Sequence, residues 1–196
     1  MPEESQIKWN EFLSGSEEAY SWIYRTYIQL LYQYGLRFTS NKHLIEDCIQ
    51  EVFTYIYKNR KQLSSPDNVK VYLFISLKHS LLRALTKEAP RDIPDIIQEE
   101  LPYFSLEPTA EDVVIEQEQL RLQDKRIKEM LSLLTSRQQE IIYYRYIQEL
   151  SFDEICELMD LNYQSAQNLI QRSLKKLRDN LGTTSLLFFL ITRFTI

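Results

Sequence analysis

Apolar residues along this chain recur at spacings of three and four almost from end to end. That is the signature of helices burying one face each, and alternating strand-like stretches are hard to find. In the first part, Ser16 followed by Glu17 and Glu18 predicts a helix start, after which Ala19, Trp22, Ile23, Tyr27, Leu30, Leu31 and Tyr34 keep one stripe. Asn41 predicts the cap of a second helix with the stripe Leu44, Ile45, Cys48, Ile49, Val52 and Ile56, and the turn cluster SSPDN at 64–68 ends it. A third helix, over about Val69 to Lys87, combines Tyr72, Ile75, Leu82 and Leu85 with Lys78, His79 and Arg83. Three such helices can enclose one core. The expected fold class is all-α, in two small helical domains.

In the second part the pattern predicts one helix from Lys125 to Leu134. TSRQ at 135–138 then forms a capping box opening another, through about Gln148. SFDE at 151–154 is a second capping box, and the helix it opens places Phe152, Ile155, Cys156 and Met159 on a buried face. Asp160 and Leu161 make a tight turn, and Asn162 caps a last helix to about Asn180. Two short helices, a tight turn and a longer helix with a basic end make a helix-turn-helix. On a helical wheel Ala166, Leu169, Ile170, Ser173, Leu174, Leu177 and Leu181 share the buried arc. Gln164, Asn168, Gln171, Arg172 and Lys175 face away, with Gln167 and Arg178 at the margin. A recognition helix enters the major groove by its N-terminus, so the early amides meet base edges, where Gln and Asn can pair bidentately with adenine. The later cations Lys175, Lys176 and Arg178 suit phosphates.

The formal charge of -5 looks wrong for a DNA-binding protein until it is divided. Residues 1–89 carry 11 Lys and Arg against 10 Asp and Glu, residues 90–124 carry 2 against 10, and residues 125–196 carry 10 against 8. The acidity therefore belongs to the middle piece, which also holds Pro90, Pro94, Pro102 and Pro108 and reads as an extended acidic linker. Such a piece can be a solvated spacer, although Ile96, Ile97, Leu101, Tyr103 and Phe104 within it suggest a linker that lies on a partner's surface. The start, MPEESQIKWNEF, shows neither a basic segment nor an apolar core, so a cytoplasmic protein is expected. The apolar tail SLLFFLITRFTI is too short for a membrane span, and no stable membrane insertion is expected. Packing on the second domain, capture by a partner and self-association all remain open for it. Cys48 and Cys156 read as small hydrophobes, and His43 and His79 lack metal-ligand spacing with either. No catalytic residues, metal or cofactor are expected.

The stretch LTSRQQEIIYYRYIQELSFDEICELMDLNYQSAQNLIQRSLKKLRDNL resembles region 4 of the extracytoplasmic-function (ECF) group of sigma-70 RNA polymerase sigma factors. LIEDCIQEVFTYIYKNR and VYLFISLKHSLLRALTK resemble that group's region 2. The resemblance implies region 2 over 1–89, an acidic linker over 90–124, region 4 over 125–181 and an apolar tail over 182–196. It implies a protein without bond chemistry of its own, whose partners are core RNA polymerase, promoter DNA and an anti-sigma factor. By position, Asp47, Gln50 and Glu51 would dock on the polymerase. Lys61, Asn68, Tyr72, Lys78, His79 and Arg83 would hold the melted minus-10 element. Gln164, Ser165, Gln167, Asn168, Gln171, Arg172, Lys175, Lys176 and Arg178 would read the minus-35 element. Family members often have Trp where Tyr72 stands, Asn at His79, Asp at Arg83, Gly at Asp160 and a basic residue at Gln167. The residues alone also admit a stand-alone helix-turn-helix regulator, or a sigma-like interaction protein without promoter activity.

Overall fold

The computed structural model describes residues 2–88, 104–106 and 131–181, and every regular element among them is helical. The chain divides into two compact units, Met1–Ile93 and Pro94–Ile196.

The first unit packs four helices, α1 (Pro2–Leu13), α2 (Glu17–Gly35), α3 (Lys42–Asn59) and α4 (Val69–Glu88). Ser16 caps α2 by accepting the Ala19 N–H at 3.1 Å, and Asn41 caps α3 by accepting that of Leu44 at 3.2 Å. Each cap satisfies an N–H that the helix cannot bond internally. Gly15, with φ +108°, makes the reversal between α1 and α2 that an L side chain would resist. At the other end of α2, a Cβ on Gly35 would stand 2.5 Å from Ile45 Cγ2, so glycine is what lets α2 and α3 close up. The core is formed by Trp9, Phe12, Ile23, Leu31, Tyr34, Ile45, Ile49, Ile56, Leu73, Phe74 and Leu77, with the Tyr34 and Phe74 rings stacked at 4.3 Å.

Two features of this unit depart from the sequence pattern. Helix α1 was not expected, yet Trp9 and Phe12 are fully buried and Ser5, one turn earlier, accepts the Tyr27 hydroxyl at 2.7 Å. The buried face of α4 is also rotated from the expected one: Val69, Leu73, Phe74, Leu77, Ser80 and Leu81 go inside, while Tyr72, Ile75, Leu82 and Leu85 lie half-buried at its margins. Because α4 contacts α1, α2 and α3, its buried arc is wide and the marginal apolar residues finish its edges.

The second unit contains α5 (Ser136–Ile142), which runs into a π-helical turn (Tyr143–Ile147), then α6 (Phe152–Met159) and α7 (Tyr163–Leu181). Both predicted capping boxes are present, Thr135 with Gln138 and Ser151 with Glu154. The expected single helix through Gln148 instead widens after Ile142, where the Gln148 N–H bonds to Tyr143 O and the Leu150 N–H to Tyr144 O. The wider turn carries Tyr143, Tyr144 and Leu150 inward together. In α6 the buried residues are Ile155, Leu158 and Met159, whereas Phe152 and Cys156 are only half-buried. Phe152 closes the edge instead, with its ring 5.2 Å from Tyr163 and under the Arg145 guanidinium at 5.2 Å. Asp160 ends α6 in the left-handed region at φ 51°, and Asn162 caps α7 by accepting the Ser165 N–H at 2.8 Å.

The predicted Lys125 to Leu134 helix falls largely, and the tail entirely, outside the described residues, as do Ile96, Ile97, Leu101 and Tyr103. Phe104 is described, and it corrects the expectation that it covers a partner: it is 3% exposed and lies against Tyr143 and Tyr144 of its own unit.

Candidate nucleic-acid interface

In α3 the apolar stripe faces the core, and Asp47, Gln50, Glu51 and Thr54 stand exposed on the other side. Gln50, Thr54 and Glu46 border a groove between α2 and α3 that Tyr20, Tyr24, Ile28 and Tyr32 line from the α2 side. This surface pairs apolar rings with polar tips and no cation, which suits a partner helix carrying basic residues. Glu51 differs from its neighbours. Its carboxylate accepts the Ser80 hydroxyl at 2.5 Å and Arg83 Nη2 at 3.2 Å, so it ties α3 to α4. Cys48 belongs to the same cluster, and burial pushes its thiol up, with the Ser80 hydrogen bond working the other way. A protonated buried thiol is a packing residue rather than a nucleophile.

Along α4, positions 72, 76, 79 and 83 fall on one line of the helix, which collects Tyr72, Ser76, His79 and Arg83, while Lys78 points about a third of a turn away. Tyr72 is half-buried, its ring 5.2 Å from Trp9, and burial raises its phenol. His79 is exposed, and so is Lys61 in the preceding loop. Asn68 has a structural task as well, since its Oδ1 accepts the Lys70 N–H at 2.9 Å and caps α4.

Tyr55 and helix α1 also contribute to this surface, and neither is singled out by the sequence pattern. Tyr55 is 57% exposed, and it stands close enough to Tyr72 for an ionised phenol there to oppose ionisation of the other, so it presents an open ring near the α4 line. The available signal was its position, one turn after Glu51 and off the apolar stripe. Helix α1 also holds the loop ahead of α4: Gln6 Nε2 donates to Ser65 Oγ at 2.7 Å and to Pro66 O at 2.6 Å, Ser65 Oγ donates to Asn10 Oδ1 at 2.7 Å, and Trp9 Nε1 donates to Ser64 O at 3.3 Å. Preformed loop, open ring and cations together make a surface suited to single-stranded nucleic acid, where stacking and phosphate attraction act on any base.

The helix-turn-helix presents a different surface. Gln164, Gln171, Arg172, Lys175, Lys176 and Arg178 are exposed on α7, and Ser165, Gln167 and Asn168 are half-exposed. Ala166, Ile170, Ser173 and Leu177 seat the helix, with Leu169 and Leu174 at the edge of the seat. Gln164 Nε2 donates to Asn168 Oδ1 at 3.2 Å, so two amides one turn apart hold each other in position. The cations follow one turn later. Tyr163, 50% exposed at the first position of α7, is a further residue at the entering end that the wheel did not single out.

Among the described residues no group of three His, Cys, Asp or Glu side chains is placed to hold a metal ion, and no helix is long and apolar enough to cross a membrane.

Known proteins align with both surfaces. Residues 23–91 match sigma-70 region 2, and residues 124–177 match sigma-70 region 4. The ECF RNA polymerase sigma factor SigX of Bacillus subtilis (strain 168) is 25% identical over 171 residues, covering 84% of each chain. The RNA polymerase sigma factor YlaC of the same organism is 20% identical over 159 residues, covering 81% of this chain and 90% of its own. CnrH, solved in complex with the cytosolic domain of CnrY, shares the fold at a TM-score of 0.59 and 17% identity, over 90% of this chain and 96% of its own. With regions 2 and 4 matched in order over more than half of its length, the chain belongs to the ECF group of the sigma-70 family of RNA polymerase sigma factors.

Proposed function

We propose that this chain binds core RNA polymerase, directs it to promoters and helps separate the strands at the minus-10 element, leaving bond formation to the polymerase. One observation carries the reading: a region 2 match and a region 4 match lie in one chain, in that order. Asp47 and Gln50, with Thr54 and the α2 tyrosines, form the docking face, and Glu51 contributes chiefly by locking α3 to α4. Lys61, Asn68, Tyr72, Lys78, His79 and Arg83 surround the melted strand, and Tyr55 supplies the open stacking ring. On α7, Gln164, Ser165, Gln167, Asn168 and Gln171 read bases of the minus-35 element, while Arg172, Lys175, Lys176 and Arg178 hold phosphates.

The division of labour accounts for the formal charge of -5. With both units fixed on the polymerase, the second DNA contact occurs at high effective concentration, so the sigma chain need not be basic. The proposed further partner is an anti-sigma factor, in line with the complex in which CnrH was solved. The proposed organisation is region 2 over 1–89, a linker over 90–124 and region 4 over 125–181, acting in the cytoplasm.

Footprinting tests this reading. The chain should protect promoter DNA only together with core enzyme, and Asp47→Ala with Gln50→Ala should weaken co-elution with core. Protection of duplex DNA by the chain alone, unchanged when core is added, would replace the reading with a stand-alone regulator.

A further inference from the structure

The segment Phe104–Leu106 precedes the region 4 match, which begins at residue 124, and follows the region 2 match, which ends at 91. It is nevertheless built into the second unit. Burial alternates along it: Phe104 is 3% exposed, Ser105 is half-exposed, and Leu106 is 8% exposed. The Phe104 ring meets Tyr143 edge-on at 5.4 Å and Tyr144 at 6.2 Å, the two tyrosines that the π-helical turn brings inward. The Leu106 N–H donates to Gln139 Oε1 at 2.8 Å. Gln139 is itself buried, and its Nε2 donates to Leu131 O at 3.0 Å and Leu134 O at 3.2 Å. A buried amide so placed is satisfied on both ends only while the segment is docked. Undocking leaves Gln139 Oε1 without the Leu106 N–H in an apolar surround, which is unfavourable.

We infer that Phe104–Leu106 is an anchor, with Gln139 as its positioning residue, so that residues 89–103 alone set how far apart the two DNA-reading units can stand. The inference deepens the sigma-factor reading and, for its promoter consequence, rests on it. From Glu88 to Phe104 the chain advances 16 residues, whereas from Glu88 to Leu131 it advances 43. At the most extended a chain can be, about 3.5 Å per residue, those are upper bounds of roughly 55 and 150 Å. Along duplex DNA, at about 3.4 Å per base pair, the shorter bound corresponds to roughly 16 base pairs and the longer to more than 40. The anchor therefore limits which spacings between the two promoter elements one chain can bridge. Gln139 specifies this without touching DNA.

The test inserts the same six Gly and Ser residues on either side of the anchor, after Glu99 or after Thr109, in the full chain. Fluorescent labels at Lys58→Cys and Glu157→Cys, in a Cys156→Ser background, report the distance between units. The insertion after Glu99 should lengthen that distance, and the one after Thr109 should leave it unchanged. Adding Phe104→Ala with Leu106→Ala should make the second insertion lengthen it too. Hydrogen exchange should show the Leu106 amide protected in the parent chain and at least roughly tenfold less so in Gln139→Leu, with Ile155 and Ala166 amides unaffected. In run-off transcription with core polymerase, only the insertion after Glu99 should extend activity to wider spacers. Equal effects of the two insertions on distance, or an unprotected Leu106 amide, would overturn the anchor. If the distances follow the expected asymmetry but neither insertion extends activity to wider spacers, the promoter consequence is overturned. An asymmetry in distance with no transcription from any variant or parent would instead sink the sigma-factor reading and leave the anchor standing.

Discussion

The two surfaces proposed to face DNA are built by opposite means. Around α4, the residues proposed to hold DNA are knitted into their own unit: the preceding loop is held by Gln6, Trp9 and Asn10, Asn68 caps the helix, Tyr72 leans on Trp9 and Arg83 is paired with Glu51. On α7 the outward residues stand on the face away from the core, where Gln164 and Asn168 hold each other through their amides. The contrast suits the ligands proposed for the two surfaces. Duplex DNA is a regular surface, and a straight helix already has the spacing to follow its groove. A melted strand has no shape of its own, so the protein must supply one, and the cost of ordering falls on whichever partner is not preformed.

The contrast breaks most readily at Trp9. Trp9→Ala removes a fully buried ring and the staple to Ser64, and should cost about 3 to 5 kcal/mol of stability in the first unit, seen as a large fall in Tm. The second unit's transition should be unmoved. A smaller change on the other surface is Asn168→Ala, which should reduce discrimination at one or two upstream bases by about 1 to 3 kcal/mol, measured by competition among single-base promoter variants. Gln6→Ala should loosen the loop by about 1 kcal/mol, with open-complex formation slowed and duplex minus-35 binding unchanged. The finest test is Asp160→Gly, which relieves a left-handed position at φ 51° and should stabilise the second unit by about 0.5 to 1 kcal/mol in thermal melts.

Local signals were legible in the sequence and distant ones were not. Ser16, Asn41, Thr135, Ser151 and Asn162 all cap helices as expected, because a cap is written within three residues of itself. Asp160 adopts the left-handed turn, in a position where family members often carry Gly. Helix α1 was missed because its stripe is little more than Trp9 and Phe12, and the groups that make it a helix of this fold lie more than 50 residues away, at Ser64, Ser65 and Pro66. The tie from Glu51 to α4 is hidden from the local sequence for the same reason, since Ser80 and Arg83 are 29 and 32 residues distant. Phe104 looked available to a partner because nothing near it in sequence announces Gln139, Tyr143 and Tyr144. The wheel placed α7 well because one broad surface seats it. On α4 the apolar residues Tyr72, Ile75, Leu82 and Leu85 stand out in the sequence, but the helix is packed by three others and buries a wider arc that leaves them half-buried at its margins.

The central claim is tested most directly by run-off transcription with purified core polymerase, this chain and a genomic promoter library. The account predicts specific transcripts that require the chain, start downstream of a shared pair of sequence elements, and fade when Gln50, Tyr55 or Asn168 is changed to Ala. A library in which no template responds to the chain beyond core polymerase alone would contradict it.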